Sequence, residues 1–286
     1  MGRARCPHAR EASQFRLGAR RSAGNGRAIA VGHVLAVVSQ KGGVGKTTTV
    51  VNLGAAFARR GLRTLVVDAD PQGAVRYGIA LRKGHATVGF ADYLAGTHTL
   101  KEVILPTALP WLRVMLAGSV SGDTSHEAYL QRFAGGELVD QLLAAARTRC
   151  DVVVVDTPPG LGPITRAVLR HSERVLIPLQ CEPLALQTTP QILRGIQAMV
   201  TENAQLTLDG ILLTMYEAGN AACERTVEYV RQHVPPNLVL DVIIPRTVAV
   251  ADAFAAGQPV VIRDPADKAA QAYVNLATKL AERFPK

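Results

Sequence analysis

The stretch "SQKGGVGKTTTV", Ser39 to Val50, decides the fold. The run "VLAVVS" (34–39) before it has the unbroken apolar character of a buried parallel strand. The residues after it, Thr47 to Arg60, have the spacing of a helix, with Gly61 placed to cap its end. A strand, a glycine-rich turn and a helix in that order match the phosphate-binding loop G-x-x-x-x-G-K-[ST]. Gly45, Lys46 and Thr47 supply the end of the motif, but Gln40 replaces its first glycine and a second lysine, Lys41, follows. Gly42, Gly43 and Gly45, with Val44 between them, let backbone N–H groups curl round a phosphate at the positive end of the helix. Lys46 is then expected to reach the outer phosphates of a nucleoside triphosphate, Thr47 to ligate Mg²⁺, and Thr48 to donate to the innermost phosphate.

Two carboxylate stations follow, each closing an apolar run. "TLVVDAD" (64–70) ends on Asp68 and Asp70, and "DVVVVDTPPG" (151–160) carries Asp156 at the position of a Walker B acid. Further strand-like runs are "WLRVML" (111–116), "RVLIPL" (174–179), "LDGILLTMY" (208–216) and "LVLDVII" (238–244), with "PVVI" (259–262) as an edge strand. Helical spacing covers 137–149, about 186–202 and 266–283. Strands alternating with helices predict an α/β fold, a mostly parallel, doubly wound sheet covered on both faces, with its ligand at the carboxyl ends of the strands.

The 286 residues allow one large α/β domain or two small ones. No apolar run approaches the ~18 residues of a spanning helix. The formal charge of +9 is uneven, because residues 1–33 hold seven arginines against the single acid Glu11. Residues 1–32 read as a basic, disordered tail, with a polyanion contact or an organelle transit peptide as functional alternatives. The domain is expected to run from residue 33 to 286. Cys6, Cys150, Cys181 and Cys223 form no C-x-x-C pair, so they read as incidental thiols of a reducing cytoplasm.

Taken together, "QKGGVGKTT", "LVVDADPQG", "VVVVDTPPG", "LIPLQCEPLAL", "GILLTMY" and "IPR" occur in the order seen in the ParA branch of the deviant Walker ATPases. The chain resembles that branch over roughly residues 33–282, and Gln40 favours it over the MinD relatives, which usually have glycine there. The resemblance implies an ATP- and Mg²⁺-dependent ATPase that works as a homodimer with two nucleotides sandwiched between subunits. Lys41 matches the family's signature lysine, which reaches the phosphates bound by the other subunit. Asp70 matches the acid that orients the attacking water, and Asp68 and Asp156 match the acids near the metal held by Thr47. "PPG" after Asp156 resembles a switch that senses the outer phosphate. Thr214, Met215, Pro245 and Arg246 fall in the segments that build the adenine pocket.

The resemblance further implies non-specific DNA binding, an activating ParB-like or cargo-adaptor protein, and a cargo that is a plasmid, a chromosome origin or a large protein assembly. Two departures weaken the basic surface. "YEAGN" places Gly219, and "TVAVADAFA" places Ala249, where many members carry arginine. The alternative is a MinD-like or secretion-associated ATPase acting on a membrane or protein complex without DNA. "KLAERFPK" ends with the last helix and offers little extra apolar face, so no direct membrane anchor is expected. Metabolic synthases share this loop type, but no motif for an acceptor substrate is present. Cytoplasmic location, with nucleoid association if DNA is bound, follows from the same resemblance.

Overall fold

The computed structural model describes residues 31–81, 88–118, 129–133 and 135–284. The basic stretch ahead of residue 31, with Cys6, lies outside the described residues. Among the described residues eight strands form one sheet: β1 (His33–Val37), β2 (Thr64–Asp68), β3 (Leu105–Pro106), β4 (Leu112–Met115), β5 (Val152–Asp156), β6 (Arg174–Gln180), β7 (Thr207–Tyr216) and β8 (Val239–Pro245). Their order is β3-β4-β2-β5-β1-β6-β7-β8. The pairings are parallel except β3 with β4. The fold is therefore α/β, as the alternation of runs predicts.

The strands are apolar on both faces because both faces are covered. In β1, Val34 and Ala36 enter one core layer while Leu35 and Val37 enter the other. Val153 and Val155 of β5 divide from Val152 and Val154 in the same way. One layer is closed by helices α4 (Glu137–Arg147), α5 (Pro163–Arg170), α6 (Ala185–Glu202) and α7 (Ala221–His233), which follow α2 (Phe90–Leu94) and α3 (Leu100–Val103) in the chain. The other is closed by α1 (Lys46–Arg59), α8 (Val248–Ala255), α9 (Val260–Arg263) and α10 (Lys268–Glu282).

One expectation fails. Residues 259–262 do not form an edge strand; Val260–Arg263 is the short helix α9. Val260 and Val261 are buried, and the segment is fixed by α1: the Val261 N–H donates to Asn52 Oδ1 at 3.2 Å, and Arg59 donates to the Val261 carbonyl at 2.6 Å. Helix contacts thus satisfy polar groups that a strand would have paired at the sheet edge.

β1 lies between β5 and β6, and the chain runs from it first to one side of the sheet and later to the other. A crevice at the carboxyl end of such a central strand is where α/β sheets bind ligands. The loop from Ser39 to Gly45 fills that position. Among the described residues no helix is long and apolar enough to cross a membrane. Cys150, Cys181 and Cys223 are buried free thiols, and burial pushes Cys150 and Cys181 up to about 12.

Candidate nucleotide site

The loop turns through two left-handed glycines, Gly43 (φ 79°) and Gly45 (φ 82°), the second serving as N-cap of α1. Only glycine takes this conformation without a steric cost. The loop and the end of β1 that leads into it are tied to their neighbours at three points. Thr157 Oγ1 donates to the Val37 carbonyl at 2.9 Å, Gly160 N donates to the Ser39 carbonyl at 2.7 Å, and Thr214 Oγ1 donates to the Val44 carbonyl at 2.9 Å. The "PPG" segment and the end of β7 therefore both brace the loop directly.

Parallel register brings the acids together. Asp68 at the end of β2 stands opposite Asp156 at the end of β5, and Val37 of β1 stands opposite Asp156 on its other side. Lys46 Nζ donates to Asp156 Oδ1 at 2.7 Å and lies 3.8 Å from Asp70 Oδ2. Thr47 Oγ1 donates to Asp156 Oδ2 at 2.6 Å. Asp68 accepts from the backbone N–H groups of Asp70 (3.2 Å) and Val75 (3.1 Å). Asp70 Oδ1 accepts from Gln72 N at 3.0 Å.

The electrostatics follow from burial. Asp68 and Asp156 are each 0% exposed. Burial, and then the Asp156 charge, push Asp68 well above the usual carboxylate range. Burial also raises Asp156, although Lys46 and Thr47 draw it back. Three crowded carboxylates with one lysine are a site short of positive charge. Among the described residues no three acids, cysteines or histidines close into a cage for a metal ion. Thr47 and Asp156 instead suit an Mg²⁺ ion that arrives carrying phosphate oxygens and water as its other ligands.

Beside the loop opens a cavity of about 480 Å³, within the size range of nucleotide and cofactor pockets. Gly45, Thr48, Thr214, Met215, Pro245 and Arg246 line it, so the four residues expected at the adenine meet there. Val250 and Phe254 of α8 and Tyr273 of α10 also line it. These three were not anticipated, because the pattern of their own segments carries only the signal of helix packing. Met215 is a non-glycine residue held at φ 54°, the kind of strained backbone that concentrates at ligand sites. Arg246 pairs with Glu217 at 2.8 Å at the mouth of this cavity.

Lys41 stands apart from the acids that hold Lys46. Its Nζ meets Glu182 Oε1 at 2.8 Å, in the turn after β6. Glu182 lies in "LIPLQCEPLAL", one of the runs that carry the resemblance, but no spacing in the sequence ties it to Lys41.

A phosphate loop at the central strand, an acid at the end of β5 on the loop threonine and a base-sized cavity alongside define a P-loop nucleoside triphosphatase. A family profile described as an AAA domain matches residues 32–208. The chromosome partitioning protein ParA of Caulobacter vibrioides is 35% identical over 260 residues, covering 87% of this chain and 94% of that protein. The cell division ATPase MinD of Pyrococcus furiosus superposes with a TM-score of 0.71 at 25% identity, covering 88% of this chain and all of that one. Cobyrinic acid a,c-diamide synthase of Mycobacterium smegmatis, solved with ADP and magnesium, gives 0.70 at 33% identity, covering 87% and 93%. The chain belongs to the ParA family of P-loop ATPases, and its reaction is ATP hydrolysis.

Proposed function

We propose that the protein partitions or positions a cargo as an ATP-loaded homodimer, which binds DNA without sequence preference until a ParB-like or cargo-adaptor protein stimulates hydrolysis. The observation that carries this reading is the division of labour between the two loop lysines. Lys46 is committed to the acids of its own site, whereas Lys41 is not. A second cation on the same loop, held away from its own acids, suits a role on the phosphates of a facing subunit. A charge supplied in trans to a phosphoryl group is worth about 10³–10⁵ in rate in other systems.

The remaining roles follow from position. The loop N–H groups, Lys46 and Thr48 hold the triphosphate, and the cavity by Thr214, Met215, Pro245 and Arg246 takes the adenine. Thr47 and Asp156 would hold Mg²⁺, with Asp68 as the companion acid, and the ion would neutralise charge on the phosphates. Asp70, 7% exposed and close to Lys46, orients the attacking water. Partitioning is supported by the likeness to the chromosome partitioning protein ParA of Caulobacter vibrioides. A MinD-like activity on a protein complex is the second reading, favoured by the missing arginines at Gly219 and Ala249.

Asp70→Ala should bind ATP without hydrolysing it. Its retention on non-specific DNA, measured with ATP against ADP across a salt series, separates the readings. ATP-dependent, salt-sensitive retention supports partitioning on DNA. Equal behaviour with both nucleotides would leave the DNA-free reading.

A further inference from the structure

Lys41 is already occupied in the unpaired chain, and this bears on how the dimer forms. Its ammonium contacts Glu182 at 2.8 Å, with the two side chains 27% and 35% exposed. Both partners are held by their backbones. Ser39 Oγ donates to the Lys41 carbonyl at 2.8 Å, and Ser39 is itself tied to Gly160. Glu182 follows Cys181, whose N–H donates to the Thr214 carbonyl at 3.0 Å, and its own carbonyl accepts from Ala185 N at 2.9 Å. The pair therefore joins two fixed segments 141 residues apart.

We infer that Glu182 is a positioning residue that holds Lys41 in cis and must release it when Lys41 turns to the triphosphate of a second copy. This rests on the dimer reading above. A lysine has three donors, enough for both anions. A carboxylate left beside a facing triphosphate is repelled by it, however, so the cis and trans partners compete for one charge. Breaking the pair opposes dimer formation, and Glu182 thereby sets how much ATP is needed to assemble the dimer.

The size follows from the exposure. A partly exposed ion pair contributes a factor of about two to five in an equilibrium constant. Two such pairs open per dimer, so their removal should tighten the dimer by about 4- to 25-fold.

The test is Glu182→Gln, which keeps the shape of the side chain and removes its charge. Sedimentation equilibrium with a non-hydrolysable ATP analogue should give a dimer tighter by that factor. In a Lys41→Ala background the same substitution should tighten the dimer less, because only the repulsion between Glu182 and the facing triphosphate is then relieved, whereas a merely structural role for Glu182 would give the same change in both backgrounds. In the nucleotide-free protein, Lys41 should react faster with an amine-labelling reagent in Glu182→Gln than in wild type, as read by peptide mass spectrometry. A dimeric wild type whose Glu182→Gln variant is no tighter, or is weaker, overturns the role of Glu182 alone. Equal labelling of Lys41 in both proteins overturns it as well. A wild type that stays monomeric with the analogue removes the dimer reading, and the competition with it.

Discussion

Lys46 is 6% exposed and its nearest partner, Asp156, is fully buried, so the pair is a charge compensation inside the core. Removing one member of such a pair leaves the other uncompensated, at a cost of about 3–5 kcal/mol. Lys46→Ala should thus lose nucleotide binding and also lower the stability of the nucleotide-free protein. The loss should depend on pH. Burial raises Asp156 above its ordinary 3.8, and Lys46 is the strongest influence opposing that rise. Without Lys46 the folded-state value moves higher still, so the folded chain holds the Asp156 proton more tightly than the unfolded chain. Stability then falls as pH climbs from the ordinary carboxylate value through the raised one, and it recovers as pH falls. Urea unfolding of Lys46→Ala and wild type at pH 5 and pH 8 should show the larger gap at pH 8. An equal gap would mean that Asp156 is not the group left exposed to the penalty.

At the scale of elements, α1 shows a constraint that its own sequence hides. Gly54 lies in the middle of this helix, where alanine would normally stabilise by about 1 kcal/mol. A Cβ there would press into the Cγ2 methyl of Val66, a branched, buried side chain of β2. Gly54→Ala should therefore destabilise the protein by about 1–3 kcal/mol, as overpacking does. Val66→Ala should recover part of the loss in the double variant, and thermal unfolding of the three proteins checks it. The same contrast explains what was legible in the sequence. The loop, Asp68, Asp70 and Asp156 could be read because short-range spacing fixes them at the ends of apolar runs. The helix at Val260–Arg263 could not, since a four-residue apolar run carries no period and its backbone partners, Asn52 and Arg59, are about 200 residues away. The cavity walls from Phe254 and Tyr273 likewise depend on which helices the sheet order brings together, and the acid facing Lys41 depends on β6 lying beside β1.

For the whole molecule, the proposed DNA binding turns on the cations that its surface presents. Of the cations in the C-terminal half, Arg246 pairs with Glu217, Lys279 with Asp241, and Arg283 with Asp209 beside Arg174. Arg225, Arg231, Arg263 and Lys268 are exposed. Of the two positions that lack a family arginine, Gly219 sits at φ 79°, so a side chain there would be strained. Ala249 is half-buried on α8, where arginine is a good helix former and its long stem can carry the charge to solvent. Asp252, exposed three residues further along the helix, is the acid that such an arginine would meet first. Ala249→Arg combined with Asp252→Asn, in the Asp70→Ala background with ATP, should add one phosphate contact per subunit. Each contact steepens the dependence of log affinity on log salt by about 0.9, so a dimer should gain about two units of slope. Fluorescence anisotropy on a random duplex between about 50 and 200 mM salt gives the slope. A tighter complex with an unchanged slope would show that α8 does not face the phosphates. A steeper slope of about one unit would mean that only one subunit of the pair touches DNA.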